Sequence, residues 1–260
     1  MQTLLVLLIS LFLINSGKAQ MAPPTLDYVA VPESFKLPAG MNFGGTSGVA
    51  INSKGSLFVL HRGQMPLMEF DPDGNFVRGW GDGLFDRPHG LRIDKDDNIW
   101  ATDVASHVVY KFNPSGRLEM VLGVKGRPGT MHEYGHLRLF NEPNEAVVGP
   151  NGDIYVVQGH GKADSNVLKF DKDGNFIKAW GKWGNGDGEF DQPHALAFDS
   201  TGLLHVGDRN NNRVQVFDLD GRYLRSWAFK GLPCGLLLGP DSQLYLATGF
   251  SGQILRLDAS

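Results

Sequence analysis

An internal repeat limits what this chain can fold into more than any other feature. Residues 85–112 read FDRPHGLRIDKDDNIWATDVASHVVYKF. That is a Pro-His step, a short apolar-polar alternation, an Asp/Asn turn, a second strand pattern closed by Asp103, and a third strand pattern. Residues 192–217, QPHALAFDSTGLLHVGDRNNNRVQVF, give the same elements in the same order. Five such units align, with Ser47, His89, Asn144, His194 and Cys234 in one column. Fourteen positions on stand His61, Asp103, Gln158, Asp208 and Thr248. In four units a tight turn (DPDG, NPSG, DKDG, DLDG) leads into a fourth strand pattern such as NFVRGWG or NFIKAWG. Units of roughly 40–55 residues with four short strands each are the period of β-propeller blades.

The expected fold is therefore all-β: one propeller of five four-stranded blades over residues 20–260. Each blade buries its apolar faces only against its neighbours, so the units are stable together and not singly. Trp80 and Trp180, which share a column, are expected to pack between blades rather than stack on a ligand. The DxDG turns lack the further oxygen ligands of a calcium loop and are read as turns.

Residues 1–19 form a separate object. Residues 4–14 are almost wholly apolar and are followed by a polar stretch ending at Ala19. That pattern reads as a signal peptide cleaved after Ala19, too short an apolar run to span a bilayer comfortably. A secreted or periplasmic protein, with no membrane attachment after cleavage, is the expectation. Cys234 is the single cysteine, so no internal disulfide forms, and a net charge of −4 gives no electrostatic reason for nucleic-acid binding.

Two inserts interrupt the repeat. Residues 124–139 carry His132, Glu133, Tyr134 and His136, two histidines four apart on a Gly-containing loop; without a helix this is a weak metalloprotease look-alike and is discounted. Residues 159–165 (GHGKADS) lengthen the loop after the second strand of the third unit, where propellers commonly place binding residues.

The chemistry is expected at one mouth of the central channel. The first two strands of each unit form a hairpin, so His89 should return beside Asp103 and His194 beside Asp208. Two imidazoles from different blades, each with a carboxylate behind it to fix the tautomer, suit a metal site. The same residues also suit plain strand-entry and turn roles. Arg62, in VLHRGQ, stands at the same mouth, where it either clamps a carboxylate or is an ordinary surface residue.

The segments LFVLHRG, RPHGLRID with NIWATDVASHVVYKF, QPHALAFD and VGDRNNNRVQVF closely resemble the NHL-repeat propeller of peptidyl-α-hydroxyglycine α-amidating lyases and their bacterial relatives. The resemblance runs over about residues 48–258. It implies a six-bladed propeller with zinc held by three histidines at the channel mouth, a structural calcium deeper in the channel, a substrate-binding Arg and a catalytic Tyr. The reaction it implies splits a peptidyl-α-hydroxyglycine into a peptide amide and glyoxylate. Carried over residue by residue, the Arg falls on Arg62 and two zinc histidines on His89 and His194. The calcium-touching carbonyls fall on Val49 and Leu91. The Tyr position holds His160, a candidate base.

The third zinc histidine belongs to the last of six blades, whereas the fifth and last unit here has Cys234 in the column. Two closures follow. Either residues 28–36 supply the missing fourth strand of the fifth unit and Cys234 becomes the third ligand, or the chain is a six-bladed propeller without its final blade. The second is expected. The implied function is an exported zinc-assisted C–N lyase acting on a peptide or small carboxylate substrate; the alternative is a non-catalytic NHL scaffold that binds a peptide, protein or small ligand.

Overall fold

The computed structural model describes residues 25–26, 28–29, 31–129, 139–161 and 164–257. The signal-peptide segment and the His132–His136 run lie outside the described residues. Everything below concerns the unit that begins at Val31.

Every regular element described is a β-strand. The first sheet holds β1 (Gly45–Ile51), β2 (Leu57–Arg62), β3 (Leu67–Phe70) and β4 (Phe76–Trp80). The second holds β5 (Pro88–Ile93), β6 (Ile99–Asp103), β7 (Val108–Phe112) and β8 (Leu118–Leu122). The third holds β9 (Pro143–Val148), β10 (Ile154–Gln158), β11 (Asn166–Phe170) and β12 (Phe176–Trp180). The fourth holds β13 (Pro193–Phe198), β14 (Leu204–Asp208), β15 (Arg213–Phe217) and β16 (Tyr223–Ala228). The fifth has three strands, β17 (Leu232–Leu238), β18 (Leu244–Gly249) and β19 (Ile254–Leu257). Each sheet is an antiparallel meander in chain order, which is the blade of a propeller.

The alternation within each strand sends apolar side chains to both faces, and both are covered because blades stack. Phe58, Leu60 and Leu67 of the first blade share a core with Leu91, Ile99 and Tyr110 of the second. Equivalent clusters join the second blade to the third, the third to the fourth and the fourth to the fifth. The Trp column packs as expected. Trp80 meets Phe112 of the next blade with ring centroids 6.3 Å apart, and Trp180 meets Phe217 at 6.2 Å.

No such cluster joins the fifth blade to the first among the described residues. Val49 and Ile51 on β1, and Leu237 and Ile254 on the fifth blade, are more than half exposed. Nor do residues 28–36 complete the fifth sheet, where β19 pairs with β18 alone. Lys36 instead forms a parallel bridge with Asn75 of the first blade, and Phe35, Leu37 and Phe43 pack on its Val59, Met68 and Phe70. The reason is apolar: Phe35 finds the ring of Phe70 at 4.9 Å, a contact the exposed edge of β19 does not offer.

The pattern along β17 makes a test within one strand. Leu236 is 1% exposed and Leu237 57%. Leu236→Asp is expected to cost more than about 4 kcal/mol in urea unfolding, because it buries a carboxylate without a partner, whereas Leu237→Asp should stay within about 1 kcal/mol of the wild type.

Candidate metal centre

The residues of the repeat column occupy the same backbone device in all five blades. The first two strands pair in register on either side of the column residue and skip it, leaving a β-bulge at the strand entry. Pro193 faces Asp208 and Ala195 faces Gly207, with His194 between them. The same interruption falls at Ser47, at His89 and Gly90, at Asn144 and at Cys234. A bulge re-aims the side chain it carries.

Two imidazoles thus converge, His89 from the second blade and His194 from the fourth, with ring centroids 4.6 Å apart. A third joins them from the loop after β10: His160 lies 5.0 Å from the His89 ring and 5.9 Å from the His194 ring. Gly159, at φ 107°, turns the chain there in a way few other residues allow. One nitrogen from each of the three rings lies within 4.8 Å of the others, a spacing that could hold one metal ion.

The tautomers are fixed by the neighbouring blade. Nδ1–H of His89 donates to the Asn144 carbonyl at 2.9 Å, and Nδ1–H of His194 donates to the Cys234 carbonyl at 2.9 Å. A carbonyl only accepts, so each Nδ1 carries the proton and each Nε2 keeps its lone pair for a ligand. Burial, reinforced by the His194 charge, lowers the His89 pKa to about 2. Burial lowers His194 to about 4. His160 is also lowered, chiefly by burial and then by Arg87. All three rings are therefore neutral at neutral pH, the state in which imidazole binds metal.

Three arginines surround the cluster. Arg62 places its Nε 3.4 Å from the Pro88 carbonyl, one residue before His89, and its charge acts on both His89 and His160. Arg209 acts on His194 and His160 and touches the Gln192 side chain at 3.3 Å. Arg87 acts on His160. None of the three makes an ion pair among the described residues, unlike Arg78, Arg92, Arg117, Arg213 and Arg222. The mouth is thus positive and suited to a carboxylate. The sequence reading missed Arg87 and Arg209; their signal is position, directly before the Pro-His step and directly after Asp208.

Several expectations are corrected. Cys234 offers its carbonyl to His194, while its thiol lies against Gly249 and beside Arg209. Although Cys234 lines the same cavity, its thiol does not join the three ring nitrogens. His160, expected only as a candidate base, stands close enough to His89 and His194 to share a ligand's part with them. Asp103 and Asp208 do not back the imidazoles. Asp103 accepts the amides of Asp86, Arg87, Ala105 and Ser106, and Asp208 accepts that of Asp191 and pairs with Arg213.

Thr248 bonds to Ser251 and Gln253, but in the other four of the five blades this second column shares one structural task. Its side chain accepts the backbone N–H seventeen residues earlier: His61 from Gly44, Asp103 from Asp86, Gln158 from Asn141 and Asp208 from Asp191. His61 spends its other nitrogen on the Met65 carbonyl at 3.2 Å.

Val49 and Leu91 line the cavity of about 500 Å³ that runs down from the histidines. The one carboxylate on that wall is Glu145, already paired at 2.9 Å with Arg92 on the same wall. A wall carrying a guanidinium and no free carboxylate does not fit calcium.

A family model described as DUF5128, 6-bladed β-propeller, matches residues 147–250. NHL repeat-containing protein 3 of Homo sapiens is 36% identical over 195 residues, which is 71% of this chain and 55% of that protein. Peptidyl-alpha-hydroxyglycine alpha-amidating lyase 1 of Drosophila melanogaster is 36% identical over 156 residues, 55% of this chain and 27% of that protein. The chain thus spans about half, or less, of the length of these relatives. Among solved structures, a streptogramin B lyase aligns with a TM-score of 0.62 at 17% identity, over 84% of this chain and 70% of that one, a likeness of fold.

The neutral histidines set a pH dependence. Their folded pKa values lie below the ordinary 6.5, so the unfolded chain takes up protons that the folded one refuses. In metal-free protein their contribution is intact above about pH 6.5 and is lost as the pH falls toward 4, by up to ~1.4 kcal/mol per pH unit for each. Urea unfolding at pH 7 and pH 5 should show the loss, and His194→Gln should flatten it. Asp103→Ala, in turn, should cost roughly 2–4 kcal/mol in urea unfolding at pH 7 by stranding backbone amides.

Proposed function

The chain is an NHL-repeat β-propeller related to the amidating-lyase domains, and on that premise we propose that it is a zinc-dependent lyase acting on α-hydroxyglycine-type substrates. The observation that carries this reading is the set of three neutral imidazoles from three different places in the ring, two of them with the proton held on Nδ1. His89, His160 and His194 would hold the ion. Zinc, when bound there, supplies a Lewis acid that polarises the substrate hydroxyl and eases loss of its proton.

The remaining work falls to the chain. Arg62 and Arg209 hold the substrate carboxylate, and the position of Arg62 beside Pro88 sets that carboxylate close to His89. Apolar residues of the cavity wall, such as Leu91 and Leu236, keep water from the scissile bond. In the reaction the hydroxyl proton departs, the C–N bond breaks with its electron pair on nitrogen, and that nitrogen takes a proton. The hydroxyl-bearing carbon becomes the aldehyde of glyoxylate. No oxidant or reductant is consumed.

A second reading is a non-catalytic binding propeller. It is favoured by the similarity to NHL repeat-containing protein 3, whose match covers more of this chain than the lyase match does.

Metal analysis of purified protein with an assay for glyoxylate release from a peptidyl-α-hydroxyglycine separates the two. The lyase reading expects about one zinc per chain and measurable release. His160→Ala should lose the zinc and reduce turnover at least ~100-fold. Arg62→Ala should keep the zinc and raise KM roughly 10–100-fold, the worth of a charge-assisted contact. Zinc-free protein that releases no glyoxylate after zinc is added would favour the binding propeller.

A further inference from the structure

Below the histidines, one side chain crosses the channel. Arg92 leaves the innermost strand of the second blade, and its Nη2 lies 2.9 Å from Glu145 Oε1 on β9 of the third. The same nitrogen donates to the Leu196 carbonyl of β13 at 3.2 Å and to the Leu236 carbonyl of β17. The other Glu145 oxygen accepts the Leu196 amide at 2.6 Å. A guanidinium rooted in the second blade thereby reaches the third, fourth and fifth, which is possible only across the axis.

Backbone carbonyls and a carboxylate converging from several blades are the ligands of a hard divalent cation. Here they face N–H groups instead. Both Glu145 oxygens are used, and a dication placed beside the guanidinium would meet like charge at short range. We propose that the Arg92 guanidinium is the structural cation of this channel, so that four of the five blades are tied together by the chain itself rather than by calcium. Burial pushes the Glu145 carboxyl up and Arg92 opposes the push, as expected of a buried pair whose halves need each other.

Thermal unfolding of the zinc-loaded full chain in calcium-free buffer and with calcium chloride added tests this without any activity assay. The expected result is one melting temperature in both, and no heat of calcium binding by calorimetry. Arg92→Gln should melt roughly 6–15 °C lower, because it strands Glu145 in the channel. Arg92→Lys, which keeps the charge on a side chain too short to reach as far across the channel, should fall between. The proposal is overturned by a calcium-induced rise of several degrees in the wild type that Glu145→Gln abolishes, or by Arg92→Gln melting with the wild type. If Arg92→Gln yields no folded protein, the wild-type calcium titration and Arg92→Lys decide alone.

Discussion

Each blade of this protein has two apolar faces and can bury neither by itself. The stacking of Trp80 on Phe112, of Trp180 on Phe217 and of the aliphatic residues between them makes a ring from sheets that would not persist singly. Everything at the channel mouth depends on that stacking. The imidazoles of His89 and His194 meet because cores on either side of the third blade hold the second and fourth blades in place. The first blade shows the same demand from the other side. Where no blade covers it, Phe35, Leu37 and Phe43 do so in part.

Stacking brings the blades together, and the bulge turns that proximity into a site. A regular strand would send the residue after Pro88 or Pro193 to one face, into an inter-blade core. Skipping it in the register frees it to point along the channel, and its ring then finds the carbonyl of the equivalent bulge in the next blade: Asn144 for His89, Cys234 for His194. The ligand-orienting acceptor is therefore supplied by the repeat itself. This explains how Asn144 and Cys234 can occupy the column in the third and fifth blades while the backbone there still serves the histidines.

The repeat, the strand order and both residue columns were legible in the sequence because short alternating runs between Asp/Gly turns have few other solutions. The role of the second column was not. Asp103 and Asp208 do return to the end of the blade where His89 and His194 lie, opposite Pro88 and Pro193. Proximity of Cα atoms does not say where a carboxylate points, however, and these point at backbone amides of the incoming loop. Gln158 and His61 in the same column were the clue, since three chemically different acceptors in one position suit an amide better than they suit an imidazole. For a different reason, His160 was not legible as a neighbour of the other two rings. It sits in an insert with no counterpart in the other units, so no column could show that it joins His89 and His194.

The charges along the channel are arranged so that its two levels do different work. At the mouth, burial keeps three imidazoles neutral while Arg62, Arg87 and Arg209 make no ion pair among the described residues, which leaves positive charge beside the rings. One level down, Arg92 meets Glu145 and two carbonyls through its Nη2. Exchanging the two arrangements would defeat both. A paired arginine at the mouth could not hold a carboxylate, and an unpaired guanidinium in the buried channel would carry the full penalty of desolvation. The contrast gives the channel a direction: the end that carries the histidines also carries the arginines that make no ion pair among the described residues.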